Sequence, residues 1–303
     1  MKSGRKKLFK ILSITIGALL VIYLGVCAYG AKTAMEIPRL PVVYNPASLG
    51  VPYEDVAFKT RGDNLTLKGW FIPGENKDVI LVVHGGFQNR IDANVDTGGL
   101  THALALQGHN VLLFDLRGRG ESEGKGRTLA NIDEDIGGAV DYLVSRGFSR
   151  GDICLLGFST GAASVSIYAS GNDVGALILV GCFIDCPTMV ARQAKAAGLP
   201  VFLAYFLLPG GKLFTHWLYG FTMINPIDVM PRINCPILFV HEENDAFITS
   251  AETQQLFHAA PNPANEVWEA TGTKHSQVFK AHPVEFVNKI SEFISRTIGA
   301  NGN

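Results

Sequence analysis

Short apolar runs that alternate with helical patterns constrain the fold of this chain more than any other feature of its sequence. The runs lie at residues 54–60, 65–72, 78–84, 109–115, 152–158, 174–181, 236–241 and 265–269. Those from 78 up to 241 are continuously apolar, as is typical of strands buried on both faces of a sheet. Helical patterns lie near residues 91–107, 132–146, 160–170, 250–259 and 283–297. This alternation predicts an α/β fold with a mostly parallel sheet, and the first two runs are close enough for an antiparallel edge.

The composition fits a large buried core and gives no sign of affinity for nucleic acid. The chain has 303 residues, of which 47% are hydrophobic, enough for one large domain or two small ones. Its formal net charge is −1, so it lacks the basic surface that typically binds a phosphate backbone. We therefore expect no nucleic-acid partner.

The N-terminal segment has the charge and hydropathy of a membrane anchor. An apolar run from Ile11 to Gly30 follows a cluster of basic residues. As a helix this run would span roughly 30 Å, the thickness of the hydrocarbon core of a bilayer. The basic residues are Lys2, Arg5, Lys6, Lys7 and Lys10. We predict a single-pass signal-anchor at 1–31 and a linker at 32–52, with a cytoplasmic N-terminus and an extracytoplasmic main domain.

Two other processing routes fit parts of this segment. Ala28-Tyr29-Gly30 offers small residues for cleavage by a signal peptidase. Leu24-Gly25-Val26-Cys27 is similar to a lipoprotein box, but Val26 is large for its small-residue position. The length of the apolar run favours the uncleaved anchor, because the core of a signal peptide is shorter, about 7–15 residues.

The five cysteines have no spacing typical of a metal site, and we expect no metal. Cys154, Cys182 and Cys235 lie in or beside strand-like runs, where small core residues are expected. In an exported domain, a bridge between Cys182 and Cys186 or another pair stays open.

A long segment at 184–232 interrupts the alternation of strands and helices. It exceeds what a simple crossover needs. Its aromatic residues include Phe202, Tyr205, Phe206, Phe214, Trp217, Tyr219 and Phe221. Two interpretations stay open and are compatible with each other: an additional packed helical layer, and a cap insertion over a pocket.

A candidate nucleophile lies in the stretch Gly157-Phe158-Ser159-Thr160-Gly161, which follows the strand predicted at 152–158 and opens a predicted helix. Flanking glycines permit the sharp turn that exposes a serine hydroxyl for nucleophilic attack. An ordinary Gly/Ser turn is the alternative. The strand before this stretch and the helix after it favour Ser159 as a nucleophile.

A serine nucleophile needs a base and an orienting acid, which here are expected later in the chain in the order acid, histidine. Asp245 lies on a loop after the strand that ends at His241, at the edge where ligands bind in α/β sheets. His275 lies between the last strand-like run and the last helix. These two are the predicted acid and base, and Asp185 is the reserve acid. The other histidines are predicted to be structural.

Backbone N–H groups are expected to stabilise the developing oxyanion of an acyl transfer. The first predicted donor is Thr160, directly after the nucleophile. The second is Gly86, in the glycine-rich loop after the run 78–84, with Phe87 as the second choice. A plain glycine turn is the alternative for this loop.

The loop after the run 109–115 contains Gly-x-Gly, but it does not match a dinucleotide fingerprint. A polar stretch separates it from the next predicted helix, whereas the fingerprint opens a helix directly. The loop therefore gives no indication of a dinucleotide site. Asp115 and Arg117 in this loop are predicted to brace the oxyanion loop.

Together these motifs resemble the α/β-hydrolase superfamily over residues 53–297. The matching segments are His84-Gly85-Gly86, Asp115-x-Arg117-Gly118-x-Gly120-x-Ser122, Gly157-x-Ser159-x-Gly161 and the pair Asp245 and His275. Within the superfamily the chain is similar to the serine-aminopeptidase-like and monoacylglycerol-lipase-like branch, which includes membrane-anchored hydrolases. The resemblance implies an eight-stranded sheet, a Ser–Asp–His triad and no cofactor. One departure is His241-Glu242, where relatives often carry His-Gly.

The resemblance implies an α/β-hydrolase domain at about 53–300 with a cap insertion at about 184–232. The predicted function is a serine hydrolase that cleaves a carboxylic ester through an acyl-enzyme, with lipid-like esters and thioesters among its candidate substrates. The expected partners are a small acyl substrate and the membrane. A peptidase or amidase on the same fold is the first alternative, and a catalytically silent binding protein is the second.

Overall fold

One eight-stranded sheet organises the main domain in the computed structural model, which describes residues 2–127 and 129–298. The strands are β1 (Glu54–Lys59), β2 (Thr66–Ile72), β3 (Val79–Val83), β4 (Asn110–Phe114), β5 (Ile153–Phe158), β6 (Ala176–Val180), β7 (Ile237–Glu242) and β8 (Glu266–Ala270). Their order across the sheet is β1-β2-β4-β3-β5-β6-β7-β8. Strand β2 is antiparallel to β1 and β4, and the remaining neighbours are parallel. The predicted α/β fold and its antiparallel edge are confirmed.

Helices follow most of the strands and cover both faces of the sheet. They are α1 (Lys2–Met35), α2 (Thr97–Leu106), α3 (Ile132–Ser145), α4 (Thr160–Ala169), α5 (Cys186–Ala196), α6 (Val201–Tyr219), α7 (Pro226–Val229), α8 (Ser250–Ala259), α9 (Val278–Ala281) and α10 (Pro283–Thr297). Short 3₁₀ turns lie at Pro46–Leu49, Arg150–Asp152 and Met230–Arg232.

The core consists of two apolar layers, one on each face of the sheet. Alternate side chains of each strand point to opposite faces, so Leu81 joins one layer and Ile80 the other. The first layer is completed by α3, α4 and α8, and the second by α2 and α10. All residues of the four central strands β3 to β6 are buried, as their continuous apolar runs predict.

All eight predicted strands are present within two residues of their predicted ends. The helix predicted near 91–107 is shorter and begins at Thr97. Two aspartates explain this start. Asp92 accepts the N–H of Asn94 in the preceding loop, and Asp96 accepts the N–H of Gly99 as the N-cap.

The N-terminal helix is long and apolar enough to cross a membrane. An 18-residue apolar window within Gly4–Met35 has a mean hydropathy of 2.5, and 6% of that window is buried. The helix α1 ends at Met35, four residues beyond the predicted end of the anchor, so the linker starts correspondingly later. Its C-terminal half packs against α6, where the Tyr23 hydroxyl donates to the Phe206 carbonyl at 3.1 Å.

The insertion at 184–232 forms α5, α6, α7 and a 3₁₀ turn between β6 and β7. Helix α6 packs on α5 and on α1, and all three helices line a cavity that reaches Thr160, two residues after β5. All five cysteines are free thiols, including Cys182 and Cys186, so the bridge left open between them is not formed.

Candidate active site

Ser159 occupies a strained turn between β5 and α4. Its backbone angles are φ 54° and ψ −116°, and positive φ is uncommon outside glycine. The N–H of Ser159 donates to the carbonyl of Val180 at 2.9 Å, which ties the turn to β6. The strand, turn and helix predicted from the sequence are therefore present, and the turn has the form of a nucleophile elbow.

The glycines on both sides of Ser159 are required by close packing of the backbone. A Cβ atom at position 161 would lie 2.2 Å from the carbonyl oxygen of Val83, at the end of β3. A Cβ atom at position 157 would lie 2.6 Å from the Cα of Ala162. No side chain fits either position without moving α4 away from the sheet, which would move Ser159 as well.

His275 and Asp245 complete a hydrogen-bonded chain that begins at Ser159. The Nε2 atom of His275 lies 2.9 Å from the Oγ of Ser159, and its Nδ1 atom lies 2.6 Å from the Oδ2 of Asp245. The other oxygen of Asp245 accepts the N–H groups of Phe247 and Ile248, which fixes the carboxylate plane. The Asp245 side chain is 0% exposed, so water does not compete for it.

The surroundings of His275 set its readiness to accept a proton. Burial by itself lowers the pKa of His275, but the hydrogen bond that His275 donates to Asp245 and the negative charges of Asp245, Glu242 and Asp92 outweigh burial. The pKa of His275 is therefore raised above its ordinary value. A raised pKa makes the imidazole a stronger base toward the hydroxyl of Ser159.

Glu242 is a site residue whose role the sequence reasoning missed. Its carboxylate is buried and accepts the N–H groups of Ser276, Gln277 and Val278, at 2.5, 2.7 and 2.8 Å. Burial raises the pKa of Glu242 to about 7, against the lowering effect of these donors and of His275. The sequence signal for this role was the departure His241-Glu242 from the His-Gly that relatives often carry, because an acid at a buried strand end needs hydrogen-bond partners.

Gly181 and Phe247 shape the space around the His275 ring. Gly181 follows β6 with φ 60°, and a Cβ atom there would lie 3.1 Å from the Cε1 of His275. Phe247 contacts the imidazole edge to face, with ring centroids 5.3 Å apart. Both limit the rotation of the ring. The sequence signal for Gly181 was its place directly after a buried strand.

Glu242, Asp245 and His275 have potential metal-ligating atoms within 4.8 Å of one another. Their oxygens are already engaged, since Glu242 accepts three backbone N–H groups and Asp245 accepts two. This hydrogen bonding favours positioning of His275 over coordination of a cation.

The loop after β3 lies against the start of α4, as the oxyanion prediction requires. A Cβ atom at Gly86 would lie 2.9 Å from the Oγ1 of Thr160, so the two predicted donors belong to adjoining backbone segments. Thr160 is the first residue of α4, where N–H groups lack helical partners. Its Oγ1 atom is buried with no hydrogen-bond partner among the described residues. Phe87, the second choice, has an exposed side chain.

His84 holds this loop in place and takes no part in the chain from Ser159. Its Nε2 accepts the N–H of Leu116 at 3.2 Å, and its Nδ1 donates to the carbonyl of Gly85 at 2.9 Å. Burial lowers the pKa of His84 to about 3, so the ring is neutral. The structural role predicted for His84 agrees with these contacts.

Asp115 braces the oxyanion loop, but Arg117 does not. Asp115 accepts the backbone N–H of Arg90 at 2.8 Å and pairs with its guanidinium at 3.1 Å, and Arg90 lies four residues after Gly86. Arg117 instead pairs with three acids on the β1–β2 turn and α3. These are Asp63, Glu134 and Asp135, at 2.8, 3.0 and 2.8 Å. The prediction for Arg117 was wrong, because these acids engage its guanidinium away from the oxyanion loop.

The reserve acid, Asp185, serves as the N-cap of α5. Its carboxylate accepts the N–H of Thr188 at 2.6 Å and the hydroxyl of Thr188 at 2.9 Å. Thr249 caps α8 in a capping box with Glu252, which leaves Asp245 free of a capping role. Of the two candidate acids, the structure brings Asp245 to His275.

A second Ser–His–Asp set lies at the opposite edge of the sheet. His109 contacts Asp78 at 2.6 Å and the Oγ of Ser291 at 2.8 Å. Asp78 and His109 precede β3 and β4, at the amino ends of the strands, and Ser291 lies within α10. Ser291 has regular helical backbone and none of the strained geometry found at Ser159. The set fastens α10 to the sheet and shows that three correct residue types do not by themselves make an active site.

A cavity of about 300 Å³ lies beneath the cap insertion and extends to Thr160. Its walls come from α5, α6 and the C-terminal half of α1. The insertion therefore fulfils both interpretations left open by the sequence, since it is a packed helical layer and also covers a pocket.

A mostly parallel eight-stranded sheet with a strained serine turn and a histidine loop at its carboxyl edge defines the α/β-hydrolase fold. The chain belongs to the alpha/beta hydrolase family, whose sequence pattern matches residues 80–289. The sequence thus supports the family assignment independently of the geometry described above.

Relatives and solved structures agree with this assignment. The uncharacterized protein YqkD of Bacillus subtilis is 24% identical over 236 residues, 75% of each chain. The uncharacterized protein YfhR of Salmonella typhimurium is 27% identical and covers 81% of this chain and 84% of its own. An esterase structure from Pyrococcus furiosus superimposes with a TM-score of 0.72 at 26% identity, covering 87% of this chain and 98% of that one. The family match and the likeness to the esterase structure support hydrolase activity.

Proposed function

We propose that this protein is a serine hydrolase that cleaves carboxylic esters through a covalent acyl-enzyme on Ser159. The observation that carries the proposal is the hydrogen-bonded chain Ser159–His275–Asp245, which ends at a strained and accessible hydroxyl. Membership in the hydrolase family and the likeness to an esterase structure add support.

In the first half-reaction, the Oγ of Ser159 attacks the carbonyl carbon of the ester while Nε2 of His275 takes the hydroxyl proton. The N–H groups of Thr160 and Gly86 stabilise the negative charge on the former carbonyl oxygen. The bond to the leaving alcohol then breaks, and His275 returns the proton to that oxygen. The products are the free alcohol and the Ser159 acyl-ester.

In the second half-reaction, His275 takes a proton from a water molecule, and the hydroxide attacks the acyl carbon. The bond to Oγ breaks, Ser159 regains the proton, and the carboxylic acid leaves. Asp245 keeps Nδ1–H of His275 oriented and stabilises the imidazolium in both steps. A thioester would follow the same course with a thiol as the leaving group.

The cap disfavours the peptidase alternative. Recognition of a free amino terminus needs an acid near the scissile bond, and residues 186–224 contain no Asp or Glu. They contain Arg192, Lys195 and Lys212 instead. Arg192 pairs with Glu252 of α8, so this cation ties the cap to the main domain.

We also propose that α1 anchors the protein in a membrane, with the N-terminus cytoplasmic and the hydrolase domain extracytoplasmic. The support is the apolar window within the helix Gly4–Met35 and the basic residues before Ile11. Protease treatment of sealed inverted vesicles tests the orientation. The domain should be protected there and cleaved in right-side-out vesicles, and the reverse pattern would contradict it.

Steady-state hydrolysis of nitrophenyl butyrate by the full chain in lipid nanodiscs tests the enzymatic proposal. Ser159→Ala should abolish it, whereas Ser291→Ala, the matched change in the second Ser–His–Asp set, should retain it. Aminoacyl nitroanilides measured on the same samples test the peptidase alternative. A well-folded wild type that turns over neither substrate class would favour a silent binding protein.

A further inference from the structure

The cavity under the cap is bounded on one side by the N-terminal helix. Residues Val26, Gly30, Ala31, Ala34 and Met35 of α1 line it, facing the cap helices α5 and α6 across the space. The cavity extends to Thr160, next to Ser159. With a volume of about 300 Å³ it has the size of a small-molecule site.

The lining of the cavity fits a hydrocarbon chain. Its polar side chains are Thr160, Gln193, Lys212 and Thr215, and its remaining side chains are apolar. Among the residues that the structure describes, no acid lines the cavity. Burying the methylene groups of a hydrocarbon chain in such a space is favourable, because it removes apolar surface from water.

Helices α1 and α6 pack closely, so α1 can form one wall of the cavity. A Cβ atom at Gly210 would lie 2.4 Å from the Sγ of Cys27, so the helices meet backbone against side chain at this point. Pro209 lacks an N–H and interrupts the helical hydrogen bonds of α6. The nearby carbonyl of Phe206 accepts from Tyr23, which lies on α1.

The outer surface of the cap continues the apolar surface of α1. Phe202 and Trp217 of α6 are each 73% exposed, and Phe206 and Leu213 are also exposed. Exposed aromatic side chains beside a membrane-spanning helix are typical of the lipid interface. The cavity therefore lies between a bilayer-spanning helix and a cap surface suited to the same bilayer.

We propose that this cavity binds the long acyl chain of a membrane-soluble ester, and that the C-terminal half of α1 forms one wall of the substrate site. The inference rests on the proposed esterase function and adds the substrate class. The anchor then has a second role: it places the domain at the lipid source and encloses the acyl chain whose carbonyl carbon reaches Ser159.

Three glycines provide a matched test. A Cβ atom meets nothing within 4 Å at Gly30 of α1, at Gly211 of α6 or at Gly25 of α1. Gly30 and Gly211 line the cavity from opposite walls, whereas Gly25 does not line it. Gly30→Leu and Gly211→Leu therefore fill the cavity, and Gly25→Leu adds the same side chain to the same helix elsewhere.

The experiment measures kcat/KM for nitrophenyl laurate and nitrophenyl butyrate with the full chain in lipid nanodiscs. The laurate-to-butyrate ratio should fall about 15-fold in both cavity variants, which corresponds to the loss of space for two methylene groups, about 1.6 kcal/mol. The ratio for Gly25→Leu should equal that of the wild type.

Other outcomes overturn the inference in distinguishable ways. A ratio unchanged by both cavity variants, or a wild type that cleaves butyrate but not laurate, refutes the acyl-chain site and leaves the esterase proposal standing. An equal fall in kcat/KM for both esters in both cavity variants also refutes the inference, because α1 would then not distinguish acyl chains by their length. A folded wild type that cleaves neither ester contradicts the proposed function itself.

Discussion

Glu242 holds the loop that carries His275. Its buried carboxylate accepts the N–H groups of the three residues that follow the histidine, at 2.5 to 2.8 Å. The same carboxylate contributes negative charge that raises the pKa of His275, after the larger effects of burial and of Asp245. Glu242 thus links the end of β7 to both the position and the basicity of the imidazole.

The pH profile of kcat/KM should reveal this link. The proposed base, His275, must be neutral to accept a proton, so kcat/KM should fall as the pH drops below its pKa. Because the pKa of His275 is raised, the midpoint of this acidic limb should lie above the ordinary histidine value of about 6.5. Glu242→Gln removes a negative charge near the ring, so the limb should move to lower pH. Because Glu242 itself has a pKa of about 7, the wild-type limb belongs to the coupled pair.

Glu243→Gln is the matched control for this profile. Glu243 is the next residue, is exposed, and accepts the N–H of Gly272 instead of the loop after His275. Glu243→Gln should therefore leave the midpoint of the acidic limb of the kcat/KM profile unchanged. Equal profiles for all three proteins would mean that Glu242 acts through loop geometry alone.

The choice of acid can be tested with two asparagine variants. Asp245→Asn should lower kcat by about 10⁴-fold, because the amide cannot hold the Nδ1–H of His275 as a carboxylate does. Asp185→Asn should keep kcat, since Asp185 caps α5, and should cost at most about 1 kcal/mol of folding free energy. Retained activity in Asp245→Asn would contradict the proposed triad.

The turn at Ser159 should be intolerant of a methyl group at position 161. The Cβ atom of Gly161→Ala would lie 2.2 Å from the Val83 carbonyl oxygen, so the variant should lose about 1–3 kcal/mol of unfolding free energy. Gly171→Ala, where a Cβ atom meets nothing within 4 Å, should change stability by less than about 1 kcal/mol. Urea unfolding measures both, and equal midpoints would argue against tight packing at the turn.

The oxyanion loop should also be sensitive to a methyl group at Gly86, and the expected effect there is a fall in kcat. In Gly86→Ala the new Cβ atom would lie 2.9 Å from the Oγ1 of Thr160 and push the loop from α4, so kcat should fall about 10²-fold with little change in KM. Gly85→Ala brings only ordinary contacts, the nearest at 3.6 Å, and should retain most of the activity. Matching kcat values for the two variants would place the second donor elsewhere.

Much of this arrangement follows from local sequence patterns. Strands buried on both faces leave continuous apolar runs, so β3 to β7 were predictable within two residues. Because parallel strands bring their carboxyl ends to one edge, the loops with Ser159, Asp245 and His275 were expected to meet there. The role of Asp185 also has a local cause, because Asp185 lies at the start of α5. The sequence alone left Asp185 as a second candidate for the acid, and the fold shows that Asp245 contacts His275 instead.

Other features depend on contacts between distant segments and leave little local signal. The packing of α1 on α6 joins residues at least 180 positions apart, and nothing around Tyr23 or Cys27 indicates the partner. The target of Arg117 depends on where α3 and the β1–β2 turn lie in space. The role of Glu242 was visible only as a departure from a family pattern, because its partners follow a different strand.

Fluorophosphonate labelling of the full chain tests Ser159 as the nucleophile, with the modified residue located by peptide mass spectrometry. We expect one modified residue, Ser159, in the wild type and in Ser291→Ala, and no modification in Ser159→Ala. Labelling of Ser291, or a folded and active wild type that is not labelled at Ser159, would contradict the proposed nucleophile.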